Sequence, residues 1–208
     1  MAINAWTRNN QIYDLRKPRP LSDKRIALLY SEHYWEYMAL NSTRAFAHIV
    51  KNAPREGIVR SGVDCDAYLL DDVFHPDFKA PKVLWFVDAL DLSPRKAAEI
   101  RRKFANSGRI LVWMWAPGIG VTDNTGIGVT DNICKVTGFR LERAPVADGR
   151  PVMALRGLKD PLMKGVDNLL LAKYYPWGMG PVWKVSDPDA VILGSYFGTN
   201  LPGMAVKR

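Results

Sequence analysis

The chain has 208 residues, of which 48% are hydrophobic, and it carries a formal net charge of +8. This length and composition exclude a disordered chain and are typical of one globular domain with an extension. The longest apolar runs, Val83–Val87 and Ile110–Ala116, are far shorter than the roughly 20 residues of a membrane helix, so we expect no membrane span.

The first 24 residues contain prolines and show no hydrophobic periodicity, so we predict an arm or linker at 1–24 and a domain at 25–208. The arm lacks the apolar core of a secretory signal, which favours a cytoplasmic location. Basic residues cluster in this arm and on one helix without a nucleic-acid motif, so we expect no nucleic acid partner. Cys65 and Cys134 lie far apart, so neither a disulfide framework nor a zinc site is predicted.

Apolar runs and helical periodicities then alternate along the chain. The predicted elements are the strand Arg25–Tyr30, the helices Glu36–Asn52 and Arg55–Ser61, the strand Ala67–Leu70, the strand Lys82–Val87, a helix from Pro94 to about Gly108, the strand Ile110–Trp115 and the helix Asp131–Val136. The third helix has the clearest start, because Ser93 is a favourable N-cap and Pro94 suits the first helical position. After the fourth strand, Gly118–Thr125 is repeated almost unchanged by Gly126–Ile133, which indicates a surface loop that tolerates insertion.

The last third of the chain changes to short apolar segments separated by Pro and Gly, a pattern that indicates strands. These segments are Arg140–Arg143, Val152–Leu155, Asn168–Ala172, Val182–Val185, Ala190–Tyr196 and Gly203–Val206. The whole pattern predicts a flavodoxin-like, three-layer α/β/α domain with a mainly parallel sheet and an additional β-rich C-terminal segment. Because another strand would be under way at the last residues, we expect the natural domain to be longer at its C-terminus.

Candidate ligand-binding residues follow the predicted strands, where parallel sheets usually bind ligands. They are Glu32, His33, Asp72, Asp88 and Trp115. Carboxylates in such places serve hydrolysis or metal binding, but Asp also caps helices and braces turns, and both interpretations stay open. We predict no metal site. No cofactor is expected either, because the loop GIGVTD has Asp123 where a phosphate-binding loop needs glycine.

A second group of candidates comes from the aromatic segment YYPWGMGPVW, whose Gly and Pro residues exclude a helix. Tyr175, Trp177 and Trp183 could contact a sugar or form an interface, since exposed aromatic rings serve both purposes. They could equally cover the sheet as a packed loop.

Three stretches, Tyr68–Asp72 (YLLDD), Lys82–Asn106 and Arg109–Gly118 (RILVWMWAPG), resemble the trimerisation-type middle domain of family 42 β-galactosidases and related bacterial proteins. That domain has the class I glutamine amidotransferase-like fold, and the resemblance covers about residues 25 to 140. Active amidotransferases carry a Cys after the equivalent strand and a His far downstream. Here Met114 or Trp115 stands at the Cys position and no His follows, so the resemblance implies that no catalytic residue is present.

The resemblance therefore implies a non-catalytic accessory or oligomerisation domain linked to carbohydrate metabolism. Its expected partner is a second copy of the chain or a (β/α)8 glycoside hydrolase domain. We expect no enzymatic activity from the chain alone, and glycoside hydrolysis if it is part of an enzyme. Two alternatives stay open: a small hydrolase that uses Glu32, Asp72 and Asp88, and a carbohydrate-binding module that uses Trp115, Trp177 or Trp183.

Overall fold

A computed structural model of the chain describes residues 26–31, 57–58, 60–120, 129–144, 153–155, 159–166, 170–171, 183–196 and 198–208. The predicted arm at 1–24 and the predicted helix Glu36–Asn52 lie outside these residues.

The first four strands form a parallel sheet, as the sequence predicted. They are β1 (Ile26–Tyr30), β2 (Cys65–Leu69), β3 (Val83–Phe86) and β4 (Ile110–Trp113), and their order in the sheet is β2-β1-β3-β4. In this order the chain adds β2 on one side of β1 and β3 on the other. The strand order therefore reverses between β1 and β3, which is the arrangement of a doubly wound α/β fold.

Three of these strands differ in extent from the prediction, and the third is Val83–Phe86 rather than Lys82–Val87. The second begins at Cys65 rather than Ala67, and the fourth ends at Trp113 rather than Trp115. The shorter β4 has a local cause, because Trp115 has a φ of 56° and such a left-handed residue cannot continue a strand.

Helices cover both faces of the sheet. On one face Leu29 and Phe86 belong to a buried cluster with Ile100 of helix α1 (Pro94–Phe104). On the other face Leu28 and Val87 pack with Ile58, which lies in a helical stretch at 57–58 and 60–61. Successive residues of β1 point to opposite faces, and both faces are buried, so the strand is continuously apolar.

Helix α1 begins as the sequence predicted, because the Ser93 side chain accepts a hydrogen bond from the Lys96 backbone N–H at 3.3 Å and Pro94 follows the cap. Its last helical residue is Phe104. Helix α2 (Val129–Thr137) buries Ile133 and Val136.

The β-rich C-terminal region predicted from the sequence is also present. Its strands are β5 (Leu141–Arg143), β6 (Met153–Leu155), β7 (Leu170–Leu171), β8 (Trp183–Val185), β9 (Val191–Tyr196) and β10 (Pro202–Val206). Four of them form a sheet with the order β10-β9-β6-β7, and β5 pairs with β8. All the described pairs in these two sheets are antiparallel.

Two carboxylates hold the residues that follow β10. Asp187 accepts a hydrogen bond from Lys207 Nζ at 2.8 Å and another from the Arg140 backbone N–H at 3.1 Å. Asp160 accepts two hydrogen bonds from the Arg208 guanidinium. The Lys207 ammonium and the Arg140 N–H hold the pKa of Asp187 below its usual value. Because Arg140 lies between α2 and β5, Asp187 joins the α/β part to the last strand.

Candidate functional site

The reversal of strand order places the C-terminal ends of β1 and β3 next to each other. Ser31 follows β1 and Asp88 lies two residues after β3. In open α/β sheets the crevice at this point is the usual ligand site. The candidate Asp88 therefore lies where the sequence interpretation expected it.

The Asp88 side chain connects the two strand ends. Its Oδ1 accepts a hydrogen bond from the Ser31 backbone N–H at 2.6 Å, and the residue is 0% exposed. The Ser31 hydroxyl donates to Asp91 Oδ1 at 2.5 Å. One serine is thus bonded by two carboxylates at the strand-order reversal. This arrangement fixes the strand ends, because a carboxylate that accepts a backbone N–H replaces the next bond of the ladder.

Asp72 lies apart from this group. It belongs to a 3₁₀ turn, Leu70–Phe74, and its carboxylate accepts a hydrogen bond from the Leu69 backbone N–H at 2.9 Å. Its neighbour Asp71 pairs with Lys96 Nζ at 2.6 Å. Strand β2 is separated from β3 by β1, a distance of about 10 Å between strand axes. The observed contacts of Asp72 are those of a turn-bracing residue.

Trp115 has an unusual backbone. Strand pairing ends at Trp113, and the Met114 N–H still donates to the Phe86 carbonyl at 3.3 Å before the chain turns. A left-handed φ costs an L-residue about 1–2 kcal/mol, so the surrounding contacts must maintain it. One of those contacts is aromatic. The Trp115 ring meets the Trp183 ring edge to face, with centroids 5.6 Å apart and an interplanar angle of 81°.

The loops after β3 and β4 are bonded to each other along their backbones. The Gly118 N–H donates to the Ala89 carbonyl at 2.8 Å, and the Gly120 N–H donates to the Leu90 carbonyl at 2.7 Å. Ala89 and Leu90 are each 1% exposed. The chain therefore covers its own sheet edge at this point.

Gly118 shows how closely these loops approach helix α2. It has a φ of +80°, and a Cβ at this position would lie 2.7 Å from Val136 Cγ2 and 2.9 Å from the Leu92 carbonyl oxygen. Only glycine fits here, for both backbone and space.

The backbone hydrogen bonds of Gly118 and Gly120 also determine what the glycine-rich loop can offer a phosphate. A phosphate-binding loop presents free backbone N–H groups to its ligand. The N–H groups of Gly118, Ile119 and Gly120 already donate to carbonyls of the chain. The described part of this loop therefore serves packing, while residues 121–128 lie outside the described ranges.

Trp183 lies inside the molecule. It is 6% exposed, its Nε1 donates to Thr130 Oγ1 at 3.3 Å, and its carbonyl accepts a hydrogen bond from the Tyr196 hydroxyl at 2.7 Å. Burial raises the pKa of Tyr196 to about 12. A sugar or interface contact through the Trp183 ring stays a prediction, and it would require this ring to be uncovered.

The remaining candidates, Glu32, His33, Tyr175 and Trp177, lie outside the described residues. The structure adds Ser31 and Asp91 to the surroundings of Asp88, and neither was among the candidates predicted from the sequence. The signal that could have found Ser31 is its position directly after an apolar strand, because polar groups there meet those of the neighbouring strand.

Within the described ranges, no group of three or more His, Cys, Asp or Glu side chains could hold a metal ion. No helix in the same part of the chain has both the length and the apolar character needed to cross a membrane.

No protein-family model matches the chain, and no curated protein matches it either. Among solved structures the chain is similar to a β-galactosidase from Bifidobacterium adolescentis, with 16% identity and a TM-score of 0.43. The alignment covers 89% of this chain and 84% of that one.

Proposed function

We propose that this chain is a non-catalytic accessory or oligomerisation domain built on an α/β sheet. One observation carries the proposal: the C-terminal edge of β3 and β4 is filled by the chain itself. Backbone hydrogen bonds join the two loops there, and Leu90 and Ala116 are 1% and 0% exposed. An enzyme that bound its substrate between the ends of these two strands would need this edge open.

Trp115, two residues after β4, supports the same proposal. A strained turn directly after a strand is where a nucleophile elbow presents its Ser or Cys. Trp115 has the strained backbone, but an indole ring cannot act as a nucleophile. Its ring packs on Trp183 within an apolar cluster, so the strain supports packing instead of chemistry.

The finer part of the proposal is a relation to the trimerisation-type domain of family 42 β-galactosidases. It rests on the sequence resemblance of residues 25 to 140 and on the absence of a nucleophile after β4. The partner would then be a second copy of the chain or a (β/α)8 glycoside hydrolase domain, and the context would be carbohydrate metabolism.

The mass of the purified chain in solution tests the proposal. Light scattering coupled to gel filtration, and sedimentation over a wide concentration range, should give a species heavier than the 23.4 kDa monomer. A second arm measures association with a separately expressed (β/α)8 glycoside hydrolase domain from a family 42 enzyme. A strict monomer that also fails to associate with the barrel would overturn the proposal.

The alternative of a small hydrolase is favoured by one observation, the meeting of Ser31, Asp88 and Asp91 at the strand-order reversal. Chromogenic glycosides and esters should give no turnover above a blank. If turnover is found, Asp88→Asn and Asp91→Asn are compared with the control Asp64→Asn, which changes an exposed carboxylate before β2. Loss of turnover in the first two variants alone, with an unchanged circular dichroism spectrum, would replace the proposal with the hydrolase.

Sugar binding without catalysis is the other alternative. Titration with galactosides and plant oligosaccharides should leave the tryptophan fluorescence unchanged, because Trp183 is buried and its ring contacts the Trp115 ring. A saturable change that disappears in Trp177→Ala would favour a carbohydrate-binding module instead.

A further inference from the structure

We draw no further inference here: the strongest candidate, the surface along edge strand β2 of the described sheet, where Leu69 is 44% exposed and Val63 just before the strand is 37% exposed, carries nothing because nothing in the described part of the chain shows what covers it.

Discussion

Replacing Trp115 by alanine and by glycine separates the two features of this residue, its packing and its backbone. Loss of a buried tryptophan side chain lowers the free energy of unfolding by about 3–5 kcal/mol. Trp115 is only partly buried, so we expect Trp115→Ala to cost about 3 kcal/mol, at the lower end of that range. Trp115→Gly removes the same indole ring. The two variants differ in how well alanine and glycine tolerate the left-handed backbone at this position.

Glycine normally destabilises a folded segment relative to alanine by about 0.5–1 kcal/mol. At a φ of 56° the order should reverse, because a Cβ there costs about 1–2 kcal/mol and glycine has none. The difference between these terms makes Trp115→Gly more stable than Trp115→Ala by about 0.5–1 kcal/mol. Neither variant should be as stable as the parent chain.

Urea unfolding followed by circular dichroism measures this difference, provided that the dependence on denaturant is the same in all variants. The matched control is Trp113, a strand residue whose ring stacks on Phe86 with centroids 4.1 Å apart. There Trp113→Gly should be the less stable variant of the pair. If glycine is worse than alanine at both positions, the left-handed backbone at Trp115 is refuted.

Three further changes probe the contacts around this region. Gly118→Ala should lower the free energy of unfolding in urea by about 2–5 kcal/mol, because the backbone there is left-handed and the new Cβ would lie within 3 Å of Val136 Cγ2. The control Gly165→Ala has the same left-handed backbone but open space around the Cβ, so it should cost only about 1 kcal/mol. Equal losses in the two variants would contradict the close approach at Gly118. Asp187→Asn should lower the melting temperature at neutral pH. The pKa of Asp187 is depressed in the folded chain, so its carboxylate stabilises the fold above its ordinary pKa of 3.8 and loses this effect as the pH falls through the folded value. The melting temperatures of parent and variant should therefore converge in acid. A difference that does not change with pH would show that the Asp187–Lys207 ion pair is not responsible. Tyr196→Phe leaves the Trp183 carbonyl without its donor and should cost about 1–2 kcal/mol in urea unfolding. Because the pKa of Tyr196 is raised from 10.0 to about 12, the parent chain should lose stability between these two pH values relative to Tyr196→Phe, and parallel curves would refute the buried hydroxyl.

The sequence was sufficient to predict several elements whose formation depends on residues that are close together in the chain. Helix α1 begins at Pro94 because Ser93 and Pro94 act within one turn, and the apolar run of β1 follows from burial on both faces. The β-rich end was predicted from the spacing of Pro and Gly, and the structure confirms it. The end of β4 was predicted wrongly because the prediction used only local signals. Trp115 is apolar like the strand before it, and no neighbouring residue indicates its left-handed backbone.

The candidate site depended on long-range contacts, which the sequence does not display. The position of Asp88 after a strand could be predicted, but its bond to Ser31 joins residues 57 positions apart. Asp72 had the same appearance in the sequence and instead braces its own turn. The two carboxylates differ in their contacts because Asp72 lies inside the 3₁₀ turn that follows β2, whereas Asp88 reaches the end of β1.

By itself, the sequence determined the alternation of strands and helices, the cap of α1, the β-rich end and the absence of a nucleophile in the turn after β4, because each of these is a property of a short segment. Only the tertiary structure decided that the sheet edge after β3 and β4 is closed. Its closure depends on Gly118 bonding to Ala89 and on Trp115 meeting Trp183, a residue 68 positions away. Contacts between such distant residues exist only once the chain is folded, which is why the sequence alone could not show that these two tryptophan rings pack on each other.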